Sequence, residues 1–541
     1  MWELNRHQHF LTLAKAYFLT QDEKYAKEIL AQMMSWIKDN PAYCGINWVS
    51  PLETGLRLIS WCWAYKFIEN SGFLTEDVRK MLLESVFTQA EFVKDNLSLY
   101  SSANNHLIGE ASALVITGLT FPEFTASRCW VETGKDMLFC EIQRQVYKDG
   151  VGKEQAFHYQ GFVMSLFGLA CSLLKKNSVV VPEESWQRFI NMAEFITNIM
   201  GANGNAPNVG DSDNGMAIRL SDKKDFNIYK SLLCTASIIS SRGDFKAKGN
   251  SFGEEHYWIF GMDGFEKYNS IKSVNPGLSS RLFKEGGYCI LRSFSNNCKE
   301  EILMMDCGEL GYPFMAPHGH ADLLSITLSA DGIDLLIDPG TYLYHTGAAW
   351  RDYFRSTRAH NTITINDRNQ SELKGPFMWG KRPVASVHEC EFSDQKDCIT
   401  ASCDNPGISH KRSIYFYKKE TLWTVKDSVT AIGKNIIKQY FHMGQDSMIR
   451  ELSSNIIEAE NRGVFLYMLL DKRFSVEIKK GEIAPILGWN SDIFGKKRES
   501  PVLVNTALIE NRGEFNTVLY VSREKISLEK AENKLNETAM K

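Results

Sequence analysis

The sequence lacks the features that mark several broad classes of protein. Its 12 cysteines are scattered and include no CxxC pair, and its charges nearly balance, with 61 Lys and Arg against 65 Asp and Glu. A general nucleic-acid binder usually carries a basic excess, so the net charge of −4 argues against that class. Several cysteines, such as Cys62 and Cys171, lie in apolar helical runs, which is typical of reduced core residues.

Long hydrophobic runs and common active-site motifs are also missing. The most apolar stretch is residues 161–174, and a membrane-spanning helix needs about 20 residues. The chain opens MWELNRHQHF, which has no apolar signal-peptide core. No GxGxxG, P-loop, GxSxG or HExxH motif is present. We therefore expect no membrane span and, for the sequence as it stands, a cytoplasmic location.

What remains is typical of a large globular protein. Hydrophobic residues make up 44% of the 541 residues and charged residues 23%, which excludes a disordered chain, a collagen-like fibre and a coiled coil. At about 100–200 residues per domain, the length allows about three to five small domains or two large ones.

The two halves of the chain differ in hydrophobic periodicity. In the first half apolar residues recur at helical spacing, as in Leu56, Ile59, Trp63 and Phe67. From about residue 280, segments such as GGYCILRS and NTITIND alternate apolar with polar residues, as strands do. We predict a multidomain protein, α then β: stacked helical hairpins in residues 1–261 (a solenoid or a closed α/α toroid), a linker in residues 262–280, and an antiparallel β-sandwich in residues 281–541.

Two polar clusters interrupt the helical half. Asn105 and His106 precede the apolar segment LIGEASALVITGL, so their side chains could aim donors at an anion from a helix start. An ordinary N-terminal cap is the alternative. In the segment EQAFHYQ, Tyr159 could shuttle a proton. The alternative is a helix end whose tyrosine hydroxyl is merely hydrogen-bonded.

The densest cluster lies in the β half. His318 and His320 occur in PHGHAD, Asp338 precedes a Pro-Gly turn, and His360 precedes the strand TITIND. Two imidazoles and a carboxylate, here His320, Asp338 and His360, are a plausible zinc set if these chain segments converge. The alternative is a polar end of the sandwich whose histidines bind the backbone.

Two further segments carry charge. Arg351 and Arg355 alternate with aromatic residues and could bind an anionic polymer, because the arginine guanidinium offers two hydrogen-bond donors at once to a carboxylate or sulfate group. The alternative is a solvated basic segment.

Asp211 and Asp213 in GDSDNG are similar to a calcium loop, but the glutamate expected at the end of such a loop is absent. We therefore do not predict calcium.

Taken together, these motifs resemble the heparinase II/III family of bacterial polysaccharide lyases. The helical half carries NNHLIGEASAL and EQAFHYQ, and the β half carries HGHADLLSITLSADGIDLLIDPGTYLY and WRDYFRSTRAHNTITIND. The resemblance covers nearly the whole chain and is most specific between His318 and Asn366. It implies an α/α toroid followed by a β-sandwich, and β-elimination on a uronate-containing polysaccharide.

The resemblance also implies roles for individual residues. Asn105 matches the asparagine that binds the uronate carboxylate, and His106 matches a catalytic or carboxylate-binding histidine. Tyr159 matches the tyrosine that acts as acid and, in some members, as base. His318 matches the histidine that acts as base or assists charge neutralisation. The remaining matches are the ligands of a structural zinc: His320, Asp338 and His360.

The family normally has further helical sequence before WELNRHQH, so the completeness of the toroid stays open, as does a periplasmic location.

The isoelectric point of about 6.3 favours a weakly sulfated polymer, such as an exopolysaccharide, a capsular glycan, alginate or an unsulfated heparan-like chain. A glycoside hydrolase would need a carboxylate pair, with Glu53, Glu110 and Glu154 as candidates. A non-catalytic glycan-binding or capsule-assembly protein is the other alternative. The oligomeric state stays open.

Overall fold

The change of periodicity along the sequence corresponds to a change of secondary structure. The computed structural model describes residues 2–295, 299–312, 314–345 and 347–539. Within them the chain is helical up to Ser270, and the strands begin at Arg281. The predicted order of a helical region followed by an antiparallel sheet-rich region is confirmed.

The chain divides into two compact units that are interleaved in sequence. We call the first the helical unit and the second the sheet unit. The helical unit comprises Met1–Gly150, Tyr159–Ala193 and Gly215–Asn275. The sheet unit comprises Val151–His158, Glu194–Asn214 and Pro276–Lys541. The two short early segments of the sheet unit were not predicted from the sequence.

The helices of the first half follow one another closely. They are α1 (Trp2–Asn5), α2 (His9–Thr20), α3 (Glu23–Asp39), α4 (Pro51–Ile68), α5 (Glu76–Asp95), α6 (Asn105–Thr120), α7 (Ser127–Gln145), α8 (Phe157–Lys176), α9 (Glu183–Ile199), α10 (Ile228–Ser240), α11 (Gly243–Gly249) and α12 (Glu254–Ser270). The last of these helices includes residues 262–270, so this part of the predicted linker is helical.

Side-chain caps define where several of these helices begin. Asp22, Ser50 and Thr75 each accept a hydrogen bond from a backbone N–H in the first turn of α3, α4 and α5. Such caps satisfy N–H groups that have no partner inside the helix. Helices α4 and α6 are buried on almost every face, as expected for helices that are apolar all round. They form the centre of the helical unit.

Helix α8 is long and apolar enough to span a membrane by length and composition alone. Most of its apolar window is buried inside the protein. Burial of this kind is typical of a core helix, so the helix gives little support for a membrane span.

The second half of the chain consists mainly of antiparallel strands. They are β1 (Arg281–Phe283), β2 (Tyr288–Ser295), β3 (Lys299–Asp306), β4 (Ile326–Ala330), β5 (Ile333–Leu336), β6 (Ile363–Ile365), β7 (Leu373–Gly375), β8 (Met378–Trp379), β9 (Val384–Glu391), β10 (Lys396–Asn405), β11 (Ile408–Tyr417), β12 (Leu422–His442), β13 (Met448–Ser453), β14 (Ile456–Asn461), β15 (Val464–Leu469), β16 (Ser475–Lys479), β17 (Glu482–Ile483), β18 (Ile486–Leu487), β19 (Trp489–Ile493), β20 (Lys496–Glu499) and β21 (Val502–Ser522). Two helices interrupt or follow them: α13 (Ala348–Phe354) and α14 (Leu528–Ala539).

Two sheets form the sandwich. Strands β1 to β5 make a five-stranded sheet in sequential order, and the larger sheet runs β13-β14-β15-β21-β12-β11-β10-β9, with β16 beside β21 and β6 beside β12. Alternate residues of both sheets share one buried cluster, including Leu291, Leu303, Leu328, Ile399, Ile414 and Val425. The period-2 pattern therefore identifies the inward faces correctly.

Candidate functional site

The polar cluster in the helical unit lies at the start of α6. Asn104 is the N-cap residue, and its side chain accepts a hydrogen bond from the backbone N–H of His106 at 3.2 Å. Asn105 follows as the first helical residue and is almost completely buried, whereas His106 is half-buried. The capping function therefore belongs to Asn104, and the role of Asn105 as a site residue stays a prediction.

Tyr159 lies in the first turn of α8. Its side chain is 8% exposed, and its ring makes an edge contact with Phe162. The aromatic ring is thus packed in the protein interior. Its predicted role as a proton carrier stays a prediction.

Two of the three glutamates that are candidates for the carboxylate pair of a glycoside hydrolase have structural partners in the helical unit. Glu53 forms a two-point ion pair with Arg6, with both N···O distances at 2.7 Å. Glu110 accepts hydrogen bonds from the backbone N–H and the hydroxyl of Ser98, both at 2.7 Å. These contacts favour a role in holding the fold for both residues over a role in hydrolysis.

Replacing Glu110 with glutamine is expected to remove a pH dependence of stability. Burial raises the pKa of Glu110 from 4.5 to about 7, against the opposing effect of the Ser98 hydrogen bonds. The folded protein therefore holds this proton more tightly than the unfolded chain does. Stability contributed by the protonated form is lost as the pH rises between these two pKa values.

The shift corresponds to about 3 kcal/mol. In urea titrations, we expect the free energy of unfolding of wild type to fall relative to that of E110Q between about pH 5 and about pH 8. A difference between the two proteins that is the same at both pH values would contradict the assignment.

His318 and His320 lie in an irregular loop of the sheet unit rather than on a strand. Gly319 between them is required by close packing, because a Cβ atom there would lie 1.6 Å from the carbonyl oxygen of Leu310. The indole N–H of Trp379 donates to the Gly319 carbonyl at 3.0 Å. The loop is therefore held from both sides, and the two imidazoles are buried.

Asp211 joins the two histidines. Its carboxylate is completely buried, with Oδ2 at 3.1 Å from His318 Nδ1 and Oδ1 at 3.0 Å from His320 Nε2. The preceding residue, Gly210, has a φ of +70° and packs closely against the backbone of Gln155. A Cβ atom added to Gly210 would lie 2.3 Å from the Gln155 carbonyl oxygen. The backbone N–H of Asp211 also donates to the His318 carbonyl at 2.9 Å.

Arg351 makes a two-point ion pair with the same carboxylate. Its Nη2 lies 2.7 Å from Asp211 Oδ2, and its Nη1 contacts Oδ1. Burial alone would raise the pKa of Asp211, but the charge of Arg351 and the hydrogen bonds from the two histidines hold it well below its usual range. The carboxylate is therefore ionised and can only accept hydrogen bonds.

The two arginines predicted to contact substrate are both buried. Arg351 is 2% exposed and Arg355 is 1% exposed. Arg355 donates to the carbonyl oxygens of Gly375 and Pro376 and stacks over Trp379. These contacts give both side chains a structural role that the sequence did not indicate, and direct contact with substrate stays a prediction.

The predicted zinc set is assembled within the sheet unit. His320, Asp338 and His360 are buried, and each offers a ligand atom within 4.8 Å of the others. Asp338 follows β5, and His360 follows a short 3₁₀ turn, Thr357–Ala359. Chain segments that are distant in sequence thus converge, and zinc binding by this set stays a prediction.

Hydrogen bonds orient both imidazoles of this set. His360 Nδ1 lies 2.9 Å from Asp338 Oδ2, and His320 Nε2 is bound to Asp211. The opposite nitrogens, His320 Nδ1 and His360 Nε2, are buried and have no hydrogen-bond partner among the described residues. Buried polar atoms are rarely left unpaired. Buried imidazole nitrogens without partners, on two residues that cluster with a carboxylate, fit a zinc ion.

Asp211 is the site residue that sequence reasoning missed. Its sequence context is similar only to a calcium loop. The local signal was a short acidic motif flanked by glycines, GDSDNG. The partners of Asp211 lie 107 to 140 residues later in the chain, so no local pattern could identify them.

Comparison with known proteins identifies one family. The heparinase II/III N-terminus model matches residues 1–231, and the heparinase II/III-like C-terminal model matches residues 275–517. A heparin-sulfate lyase of Bacteroides thetaiotaomicron is 25% identical over 79% of this chain and 59% of its own length. A heparin-sulfate lyase of Pedobacter heparinus is 24% identical over 96% of this chain and 73% of its own length.

The fold is shared with a solved structure. A crystal structure of heparinase III superposes with a TM-score of 0.79 at 19% identity, covering 96% of this chain and 77% of that one. This likeness confirms the predicted helical toroid followed by a β-sandwich. Because models for the two parts of one family together match most of the sequence, the chain belongs to the heparinase II/III family.

Proposed function

We propose that this protein is a polysaccharide lyase that cleaves a uronate-containing acidic polysaccharide by β-elimination. Family membership and the names of the curated relatives support this reaction class. The chain spans 59% of the length of the first of these relatives. The relatives are heparin-sulfate lyases, which makes heparin and heparan sulfate the first substrates to test.

The reaction needs three functions from the protein. The carboxylate of the uronate must be neutralised so that the developing charge next to it is stabilised. A base must remove the C5 proton, and an acid must protonate the leaving oxygen as the C4–O bond breaks and the C4–C5 double bond forms. Asn105 and His106 neutralise the carboxylate, and Tyr159 and His318 carry the acid and base steps.

The observation that carries the proposal is the contact between His318 and Asp211. An ionised carboxylate can only accept, so His318 Nδ1, at 3.1 Å, must donate to Asp211 Oδ2. A neutral imidazole bonded in this way carries its lone pair on Nε2. Removal of the C5 proton requires a base that carries such a lone pair.

The zinc set extends the proposal. His320, Asp338 and His360 hold a zinc ion, with a fourth position left for water or another group. When bound, the ion supplies a fixed positive charge that cross-links three chain segments of the sheet unit. The two buried imidazole nitrogens without partners among the described residues support this site.

The purified protein is expected to contain about one zinc per chain. His360→Ala removes one of three protein ligands, so we expect loss of most of the metal and a lower melting temperature. Metal analysis and thermal unfolding measure both effects. His9, an exposed histidine of the helical unit, supplies the control variant His9→Ala. Full zinc content in H360A would contradict the assignment.

The proposed function is tested by two assays run in parallel. Ultraviolet absorbance detects the unsaturated uronate that elimination leaves, and a reducing-end assay detects any glycosidic cleavage. The panel includes heparin, heparan sulfate, hyaluronan, alginate and bacterial capsular polysaccharides. The near balance of 61 basic and 65 acidic residues favours the less sulfated members.

The two assays separate the possible reactions. New reducing ends with rising absorbance would establish elimination and identify the polymer. New reducing ends without absorbance would indicate hydrolysis and contradict the lyase. No cleavage together with retained glycan binding would favour the non-catalytic glycan-binding alternative.

A further inference from the structure

Asp211 contacts two histidines with different predicted roles. His318 is the proposed base, and His320 is a proposed zinc ligand. We propose that Asp211 is a positioning residue whose single carboxylate sets the tautomers of both imidazoles. The kinetic part of this inference rests on the proposed function, whereas the tautomer part does not.

The donor and acceptor pattern determines the two tautomers. Asp211 Oδ2 faces His318 Nδ1 at 3.1 Å, and Asp211 Oδ1 faces His320 Nε2 at 3.0 Å. Because a carboxylate only accepts, each of these nitrogens carries a proton. In the neutral form of each ring, His318 therefore has its lone pair on Nε2, and His320 has its lone pair on Nδ1.

These are the nitrogens that the two roles require. His320 Nδ1 is the buried nitrogen without a hydrogen-bond partner among the described residues, and His320 is a member of the zinc set. On the other edge of His318, Nε2 lies 3.8 Å from Glu154 Oε1. In this proposal the base uses Nε2 of His318 and the metal ligand uses Nδ1 of His320. Each lies opposite the ring nitrogen that Asp211 binds.

Further contacts hold the carboxylate in place. Arg351 binds both of its oxygens, and Thr341 donates its hydroxyl to Oδ1 at 3.3 Å. Each of these partners of the Asp211 side chain is a donor, so both oxygens act as acceptors. An asparagine at this position offers one acceptor oxygen and one NH₂ group. It can therefore satisfy only one of the two histidines.

The sheet unit contains a second carboxylate of the same chemical type. Asp427 is also completely buried and binds Arg412 through both oxygens, together with His410 and Gln439. None of its partners is a predicted site residue. Asp427→Asn therefore removes an equivalent buried charge from the same unit and serves as a matched control.

The first test uses the wild-type protein. Its 12 histidines are labelled with ¹⁵N, and ring-nitrogen NMR spectra report which nitrogen of each imidazole carries the proton. His318→Gln and His320→Gln variants assign the two relevant signals. We expect a proton on Nδ1 of His318 and on Nε2 of His320. The opposite tautomer at either ring would overturn the proposal, and this measurement does not depend on the folding of any Asp211 variant.

The second test compares Asp211→Asn with Asp427→Asn. In D211N we expect at least one of the two rings to change tautomer. We expect zinc affinity to fall about 10–100-fold, as when an outer hydrogen-bond partner of a metal ligand is removed. On a cleaved polysaccharide, kcat is expected to fall about 10²–10⁴-fold, the range for loss of a general base, with a much smaller change in KM.

The control separates positioning from general destabilisation. D427N is expected to lose stability but to keep both tautomers, its zinc and most of its kcat. Equal losses in D211N and D427N would overturn the proposal, as would a D211N variant with wild-type tautomers and zinc affinity. If no polysaccharide is cleaved by wild type, the proposed function fails, and the tautomer and zinc measurements still decide the role of Asp211.

Discussion

Replacing Tyr159 with phenylalanine is expected to lower kcat by about 10²–10⁴-fold, the usual contribution of a general acid or base. The change removes one hydroxyl and keeps the ring that packs against Phe162. The melting temperature should therefore stay close to that of wild type. Turnover is followed by the ultraviolet absorbance of the unsaturated product.

Tyr17 supplies a matched control for this change. It is a buried tyrosine of the helical unit, 4% exposed, whose hydroxyl donates to Glu23 Oε1 at 3.4 Å. Tyr17→Phe should cost about 1 kcal/mol of stability and leave kcat unchanged. Wild-type turnover in Y159F would remove Tyr159 from the mechanism.

A synthetic substrate assigns the acid and base roles. A uronide that carries fluoride in place of the C4 oxygen needs no proton on its leaving group. If Tyr159 acts only as the acid, Y159F should turn over this substrate nearly as fast as wild type, whereas His318→Gln should not. Equal losses in the two variants on this substrate would contradict a purely acidic role for Tyr159.

Replacing Arg351 with glutamine is expected to lower the free energy of unfolding by about 3–5 kcal/mol, the usual cost of leaving one member of a buried ion pair alone. Arg351 is the cation that binds both oxygens of Asp211. Without it the ionised carboxylate stays buried with only neutral donors. Chemical denaturation with urea measures the loss.

Arg355 supplies the matched control on the same segment of chain. Like Arg351 it is buried, donates to the Pro376 carbonyl oxygen and stacks on an aromatic ring. Its ionic partner, Asp352, is about half exposed. R355Q therefore leaves no buried anion, and we expect a loss of about 1–3 kcal/mol. Equal losses in the two variants would contradict the role given to the Asp211 ion pair.

Much of the fold could be predicted because the signals for it are local. Apolar residues at helical spacing place α4 and α6 in a core, and alternating residues such as Ile414 and Phe416 identify a buried strand face. Periodicity depends only on neighbours in sequence, so it is readable without a structure. The interleaving of the two units is not local, because residues 151–158 and 194–214 join strands that begin much later.

The same distinction between local and non-local signals applies to the candidate site. The sequence by itself determined which residue types are available, and a resemblance of short motifs was enough to select His320, Asp338 and His360, which the fold brings within 4.8 Å. Only the tertiary structure decided that Arg351 is buried and that Asp211 binds both His318 and His320. Hydrogen bonds and ion pairs between residues more than 100 positions apart leave no periodic trace in sequence, because they depend on how separate segments pack.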